Sequence, residues 1–179
     1  LGKAKDGLVA AIFTDAQTRL RKPTNLKALT SNIDQLDWFS AREEGLGNLY
    51  EGLLEKNAAD KKSGAGQYFT PRPLIDCIVR LMQPQPGEVV QDPAAGTAGF
   101  LVAASEHVRE QYPDAMLDTA QRTHFHRSMF HGYDFDSTML RIASMNMLMH
   151  GIESPDIRYR DSLSEGASGE ADKYTLILA

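Results

Sequence analysis

The strongest structural signal in the sequence is Val89-Val90-Gln91-Asp92-Pro93-Ala94-Ala95-Gly96-Thr97-Ala98-Gly99-Phe100-Leu101. A short β-branched run leads into an acid, then into small residues with two glycines, and then into a helical pattern. This order predicts a strand, a tight turn and a helix whose N-terminus faces a ligand. Because Gly96 and Gly99 carry no Cβ, the backbone there can come close to a bound group.

The spacing of these glycines bears on the kind of ligand. It does not match the dinucleotide fingerprint G-x-G-x-x-G, so NAD is only a weak candidate ligand. The pattern is instead D-x-x-x-G-x-x-G, and it places the Asp92 carboxylate at the end of the predicted strand. A carboxylate there repels a pyrophosphate and attracts a cationic group. We therefore expect a nucleoside that carries an amino acid.

Length and composition are those of a globular protein. The chain has 179 residues, of which 42% are hydrophobic and 24% charged, enough for one core domain with or without a small appendage. No apolar run approaches the roughly 20 residues that span a bilayer. One cysteine cannot form an internal disulfide, so we expect a cytoplasmic protein. The net charge of −5 argues against tight nucleic-acid binding by this chain alone.

Residues 1–60 have helical patterns and no strand pattern. The first helix is expected to end or restart at Pro23, and a second to begin with a cap at Ser31 or Asn32. The third is expected over residues 46–60. We predict a small helical N-terminal domain, followed by a glycine-rich linker. The apolar positions expected to be buried in the second and third helices are Ile33, Leu36, Phe39, Leu49, Tyr50, Leu53 and Leu54.

Beyond the linker, helices and strands alternate. A helix that starts at Pro71 precedes strands predicted at 88–91, 129–133, 157–160 and from 174, with helices at 98–109 and 138–150 between them and an insertion at 111–128. This alternation predicts an α/β fold with a parallel, doubly wound sheet. Ligands of such sheets lie beyond the carboxyl ends of the strands. Asp92, Asp134 and Asp161 all fall at such ends.

Several chemically reactive side chains are interpreted as structural. Cys77 has helical spacing with apolar residues, which is typical of a small core residue. His124 and His126 form an isolated H-x-H pair, which is typical of a loop rather than a metal site. His131 and His150 lie beside the predicted sheet and are expected to be hydrogen-bonded rather than catalytic.

From about residue 34 to the end, ordered motifs resemble the modification subunit of type I restriction-modification systems. The resemblance implies a Rossmann-like class I methyltransferase fold, only partly contained in this chain, behind a helical N-terminal domain. It implies three parts: the helical domain at 1–60, a linker and cofactor-covering segment at 61–70, and the cofactor-binding part at 71–179. The motifs are Leu46-Gly47-Asn48-Leu49-Tyr50-Glu51, Gly66-Gln67-Tyr68-Phe69-Thr70-Pro71, Asp92 to Phe100, Gly132-Tyr133-Asp134, Leu140 to Gly151, and Arg160-Asp161-Ser162-Leu163.

The resemblance also implies a cofactor, S-adenosylmethionine, and roles for individual residues. Thr70 lies near the methionine carboxylate and Asp92 faces the methionine ammonium. Asp134 binds both ribose hydroxyls, since a carboxylate has two acceptor oxygens. Asp161 accepts from the adenine amino group. The full implied set is Gln67, Tyr68, Phe69, Thr70, Pro71, Asp92, Ala94, Gly96, Thr97, Gly99, Phe100, Asp134, Phe135, Asp161, Ser162 and Leu163.

The family consists of adenine-N6 DNA methyltransferases, whose catalytic Asn-Pro-Pro-Phe tetrad follows the segment that corresponds to Leu176–Ala179. This chain stops at Ala179, so we expect a fragment that holds the cofactor but does not itself transfer the methyl group. No catalytic residue and no metal ligand is predicted within it. The implied partners are DNA, a specificity (S) subunit that serves two modification subunits, and a restriction (R) subunit. A methyltransferase for RNA, protein or a small molecule, or a binding module without turnover, remains an alternative.

Overall fold

A computed structural model describes residues 7–13, 16–17, 20–37, 45–60, 70–164 and 172–179, without the side chains of 11 and 55–60. The helices in these ranges are α1 (Leu8–Phe13), α2 (Pro23–Asp34), α3 (Leu46–Asp60), α4 (Arg72–Met82), α5 (Gly99–Gln111), α6 (Thr119–Arg127) and α7 (Ser137–Met149). A 3-10 helix spans Pro113–Met116. The strands are β1 (Val90–Asp92), β2 (Phe130–Asp134), β3 (Asp156–Tyr159) and β4 (Leu176–Ile177).

The four strands form one parallel sheet in the order β3-β2-β1-β4. All three residues of β1 are buried, because strands lie on both of its edges and helices pack on the sheet. Successive strands step outward from β1 to β3, and the chain then returns to the other edge of β1 to form β4. The predicted α/β class with a parallel sheet is confirmed, and β1 borders the position where the strand order reverses.

The core lies between the sheet and helices α4, α5 and α7. Its largest fully buried side chains come from α5, from the end of α6 and the strand that follows, and from α7 and the loop after it. Burying such side chains stabilises the fold by about 1.5–3 kcal/mol each. They include Leu101, Val102, Val108, Phe125, Met129, Phe130, Met147 and Ile152.

Helices α1 and α3 both pack against α7, so the N-terminal helices contact the α/β part of the chain. The bounds of α3 agree with the prediction of 46–60. Of its residues 46–54, Gly47 is the buried one, and an added Cβ there would lie 2.5 Å from His150 Nε2. A glycine at this position therefore allows α3 to lie directly against the end of α7.

Two predictions for the N-terminal helices were wrong. Helix α2 begins at Pro23, because proline suits the first turn of a helix, and the proposed cap residues Ser31 and Asn32 lie inside it. Ile33 and Leu36 are exposed, and Phe39 lies outside the described residues. In α3, Leu49 and Leu53 are exposed, because α7 covers the neighbouring face. The half-buried residues of that face are Leu46, Tyr50, Glu51 and Leu54.

One further prediction, that Cys77 is a core residue, was wrong. Helix α4 buries only a narrow stripe, Ile75 and Val79, so Cys77 is exposed rather than a core residue. The predicted insertion at 111–128 contains the 3-10 helix and α6. The N-terminus of α6 is capped by Asp118, whose carboxylate accepts from the Gln121 amide at 2.8 Å.

The two histidines beside the sheet are hydrogen-bonded, as predicted. His131 Nδ1 lies 2.8 Å from Asp156 Oδ2, and its Nε2 lies 2.9 Å from the Ser128 carbonyl oxygen. His150 Nδ1 lies 2.9 Å from the Asn146 carbonyl oxygen. None of the helices in the described ranges has the length and apolarity needed to cross a bilayer.

Candidate cofactor-binding site

The candidate site is the edge of the sheet where β1, β2 and β3 end. Asp92 and Asp134 are the last residues of β1 and β2, and Asp161 lies two residues beyond β3. The strand register pairs Asp92 with Gly132, and Asp134 with Tyr159. Because the strands are parallel, the three acids lie at one edge, as the strand-end rule predicts.

The glycine turn after β1 is held by the end of β2. The Ala95 amide donates to the Tyr133 carbonyl oxygen at 2.8 Å, and the Gly96 amide donates to Asp134 Oδ2 at 3.0 Å. Gly96 has φ +51°, in the left-handed region that favours glycine. The other carboxylate oxygen of Asp134 accepts from the Asp136 amide at 2.8 Å. Each of these oxygens keeps a lone pair for a further donor.

Asp92 is buried at the centre of this edge, with 2% of its surface exposed. Its Oδ1 accepts from the Ala94 amide at 3.0 Å. Burial raises the pKa of Asp92 to about 7; the Ala94 hydrogen bond lowers this pKa and the nearby Asp134 charge raises it. None of the described residues places a compensating positive charge beside this carboxylate, and a cationic ligand group would favour its ionised form.

The loop after β3 is tied to the turn after β1. Ser162 Oγ donates to the Pro93 carbonyl oxygen at 2.6 Å, and the Arg160 amide donates to the Asp134 carbonyl oxygen at 3.0 Å. Asp161 is exposed, and its Oδ1 accepts from the Leu163 amide at 3.0 Å. These bonds fix three loops relative to one another, so their side chains form one site.

Two large apolar side chains lie exposed in the loops of this edge. Phe135, directly after β2, is 73% exposed, and Leu163, in the loop after β3, is 97% exposed. Single exposed apolar side chains are common on protein surfaces, so these two matter here only because they lie in the loops that carry Asp134 and Asp161.

The other predicted site residues lie in varied surroundings. Thr70 and Pro71 precede α4, with Pro71 as its N-cap residue, whereas Gln67, Tyr68 and Phe69 lie outside the described residues. Ala94 is exposed and Thr97 half-buried, but Phe100 belongs to the core. An added Cβ at Gly99 would lie 2.9 Å from Ile75 Cδ1, so this glycine permits close packing of α5 on α4.

Asn146 lies in one of the sequence motifs but has no individual role predicted from them. This residue of α7 is fully buried, and its Nδ2 donates to the Thr97 carbonyl oxygen at 2.9 Å. It is an amide between two methionines, on a helix whose other fully buried residues include Ala143 and Met147. Because buried polar groups need partners, such an amide predicts a specific contact but not its partner.

The surface recess on α4 is separate from this edge. It contains none of the three acids and none of the glycine turn. Its lining residues are Arg72, Pro73, Asp76, Cys77, Arg80 and Leu81.

The fold and the three acids define a Rossmann-like domain of the methyltransferase type. The family model for N-6 DNA methylases matches residues 41–179, and the chain belongs to this family. The methylase subunit of the type I restriction enzyme EcoKI from Escherichia coli K12 is 47% identical over 159 residues, 86% of this chain and 30% of that protein. The StySPI methylase subunit from Salmonella potsdam is 46% identical over 158 residues, again 86% of this chain and 30% of that protein.

A solved structure supports the same family. The modification subunit of a putative type I restriction enzyme from Vibrio vulnificus YJ016 superposes with a TM-score of 0.78 at 32% identity. The match covers 95% of this chain and 35% of that one. The resemblance found in the sequence motifs is thereby confirmed. The chain spans about a third of the length of these relatives.

Proposed function

We propose that this chain is the cofactor-binding part of the modification subunit of a type I restriction-modification system. The intact protein then transfers a methyl group from S-adenosylmethionine to N6 of adenine in DNA. The observation that supports this most directly is the set of three acids at one edge of the sheet, in a member of the N-6 DNA methylase family. The family description, N-6 DNA methylase, supports DNA as the substrate and N6 methylation as the reaction, and the names of the relatives support the type I system.

The acids suit the three polar parts of this cofactor. Asp92 pairs with the methionine ammonium, which supplies a positive charge that no described residue supplies to the buried carboxylate. Asp134 accepts from both ribose hydroxyls. It uses the carboxylate lone pairs that are not engaged by the Gly96 and Asp136 amides. Asp161 accepts from the adenine amino group. The bound cofactor supplies an electrophilic methyl group on a sulfonium, and the residues of this chain bind and orient it.

The remaining site residues cover the cofactor. Phe135 and Leu163 offer exposed apolar surface for the adenine ring, beside Ser162. The segment from Gln67 to Pro71 covers the methionine part. In this proposal residues 1–60 are the helical N-terminal domain, 61–70 the linker and covering segment, and 71–179 the cofactor-binding part.

The same geometry disfavours NAD. The Gly96 amide lies in the turn before α5 and already donates to Asp134, so it is not free for a phosphate oxygen. Asp92 and Asp134 would also repel the two phosphate charges.

We further propose that the intact protein assembles with a specificity subunit, two modification subunits to one, and with a restriction subunit. The family name and the type I relatives support DNA as the substrate. The net charge of −5 makes this chain a poor DNA-binding surface, so sequence recognition belongs to the specificity subunit.

The test is calorimetric titration of the intact protein with S-adenosylmethionine and with NAD, followed by methyl transfer to unmodified DNA in the presence of the specificity subunit. We expect saturable binding of S-adenosylmethionine only, and label on adenine N6. Label on RNA, protein or a small molecule instead would show another substrate class. Binding without turnover would indicate a binding module, and no binding would overturn the proposal.

A further inference from the structure

A chain of polar contacts links helix α3 to the glycine turn. Asn146 of α7 lies between them: its Nδ2 is 2.9 Å from the Thr97 carbonyl oxygen and 3.4 Å from Glu51 Oε1 of α3. The Asn146 Oδ1 atom is buried and has no hydrogen-bond partner in the part of the chain that the structure describes. The amide group of Asn146 is therefore oriented by Thr97 and Glu51 alone.

Glu51 is itself held in place. Its Oε2 lies 2.5 Å from Arg72 Nη1, and Arg72 also pairs with Asp76 and Glu106. The Glu51 side chain is only 15% exposed, so solvent screens this pair weakly. Four residues before Glu51, Gly47 lies against the His150 ring, which sets the distance of α3 from α7.

The glycine turn is thus held from two directions. Asp134 binds the Gly96 amide from β2, and Asn146 binds the carbonyl oxygen of the next residue, Thr97, from α7. A purely structural role for Asn146 would need no contact with the turn, because the other buried polar side chain of α7 bonds within its own helix. Ser144 Oγ donates to the Leu140 carbonyl oxygen at 2.7 Å.

We propose that Asn146 is a positioning residue for the cofactor site, and that Glu51 acts through it. This inference rests on the proposed function. Asn146 holds the turn in its binding conformation, and Glu51 holds Asn146 when α3 lies on α7. Because binding linkage is reciprocal, the cofactor also stabilises the contact between α3 and α7. The N-terminal helices thereby regulate cofactor affinity.

The test compares three variants of the intact protein: Asn146→Leu, Glu51→Gln and the matched control Met147→Val. Asn146→Leu keeps the side-chain shape and removes the donor. Met147 is equally buried in α7, but its thioether cannot donate a hydrogen bond to the turn. We expect the dissociation constant and the KM for S-adenosylmethionine to rise about threefold to tenfold in Asn146→Leu, as for loss of one hydrogen bond. We expect no change in Met147→Val, although its Tm falls.

Two further readouts separate positioning from a general loss of stability. The kcat at saturating S-adenosylmethionine and the KM for DNA should be unchanged in Asn146→Leu. Glu51→Gln should weaken cofactor binding in the wild-type background and have no added effect on it in Asn146→Leu. Cofactor binding should also slow amide hydrogen exchange in α3 of the wild type and not of Asn146→Leu.

The inference is overturned if Asn146→Leu binds as the wild type does, or if Met147→Val weakens binding as much. Should Asn146→Leu not fold, Glu51→Gln decides alone, and an unchanged dissociation constant there rejects the role. If the wild type binds and these tests fail, only this inference is lost. If the wild type does not bind, the proposed function fails with it.

Discussion

The Gly96 amide donates to Asp134 Oδ2 at 3.0 Å, which joins the turn after β1 to the last residue of β2. The acid proposed to hold the ribose therefore also holds the glycine turn. Removing it affects both the shape of the site and its ligand contacts. The variants Asp134→Ala and Asp134→Asn must accordingly be compared with each other.

Asp134→Ala should lower the free energy of unfolding by about 2 kcal/mol or more, because two backbone amides lose a charged acceptor. Asp134→Asn keeps one acceptor oxygen and should lose roughly half as much. Both should weaken S-adenosylmethionine binding at least about tenfold, since the ribose loses a charged acceptor. Denaturant unfolding and calorimetry measure the two effects. Wild-type affinity in Asp134→Asn would remove the ribose role.

Asp92 should make cofactor binding depend on pH. Its pKa in the folded protein is about 7, above the ordinary value of 3.8. The ammonium of the cofactor needs the ionised carboxylate and itself stays protonated below pH 7. Affinity should therefore fall about tenfold per pH unit below about pH 7. A calorimetric series from pH 5 to 8 tests this, and a flat profile in the wild type would contradict it.

The same pKa predicts a stability effect. A raised folded pKa gives stability that is present below about pH 4 and lost as the pH rises through about 7. Asp92→Asn should therefore be more stable than the wild type at pH 8, and the difference should vanish near pH 4. Thermal melts at both pH values measure this. The variant should bind S-adenosylmethionine poorly throughout, so stability and binding change in opposite directions.

A double substitution can distinguish a packing role of Gly99 from a role in ligand binding. Gly99→Ala places a methyl group 2.9 Å from Ile75 Cδ1, and should cost about 1–3 kcal/mol. Ile75→Val removes that Cδ1 atom, so the double variant should be more stable than the sum of the two single effects predicts. Denaturant unfolding measures this coupling. If Gly99→Ala weakens cofactor binding and the double variant restores it, Gly99 serves packing and not close approach of the ligand.

Gly47 and Gly52 of α3 allow a matched pair of alanine substitutions. Gly47→Ala drives a methyl group into the His150 ring and should lower the free energy of unfolding by about 1–3 kcal/mol. Gly52 has no described atom within 4 Å of an added Cβ, so Gly52→Ala should raise it by about 0.5–1 kcal/mol through helix propensity. Thermal melts of both variants test this. Equal effects would mean that α3 does not lie tightly on α7.

The part of the site that could be predicted from the sequence is the part with local signals. The strand, glycine turn and helix around Asp92 follow one another within a dozen residues, and the strand-end rule then places Asp134 and Asp161. Helix α6 has no such signal, because only Phe125 of its nine residues is buried and all the others except Ala120 are polar. The local signal for the start of this helix is its N-cap residue, Asp118.

What could not be predicted depends on distant contacts. The orientation of α3 is set by α7, and Glu51 and Asn146 are 95 positions apart in the sequence. The exposure of Cys77 is different, because it follows from local spacing. Cys77 lies two residues after the buried Ile75, about 200° around α4, and is therefore on the side away from the core.

The position of β4 has a consequence for how the protein folds during synthesis. The Val89 amide donates to Thr175 Oγ1, and these residues are 86 positions apart. One edge of β1 therefore stays unpaired until the ribosome has released the chain as far as Ile177. In that interval β1, β2 and β3 can already assemble, but the open edge of β1 offers its backbone groups to other nascent chains. Slow translation across residues 164–175 would lengthen this exposure and favour aggregation.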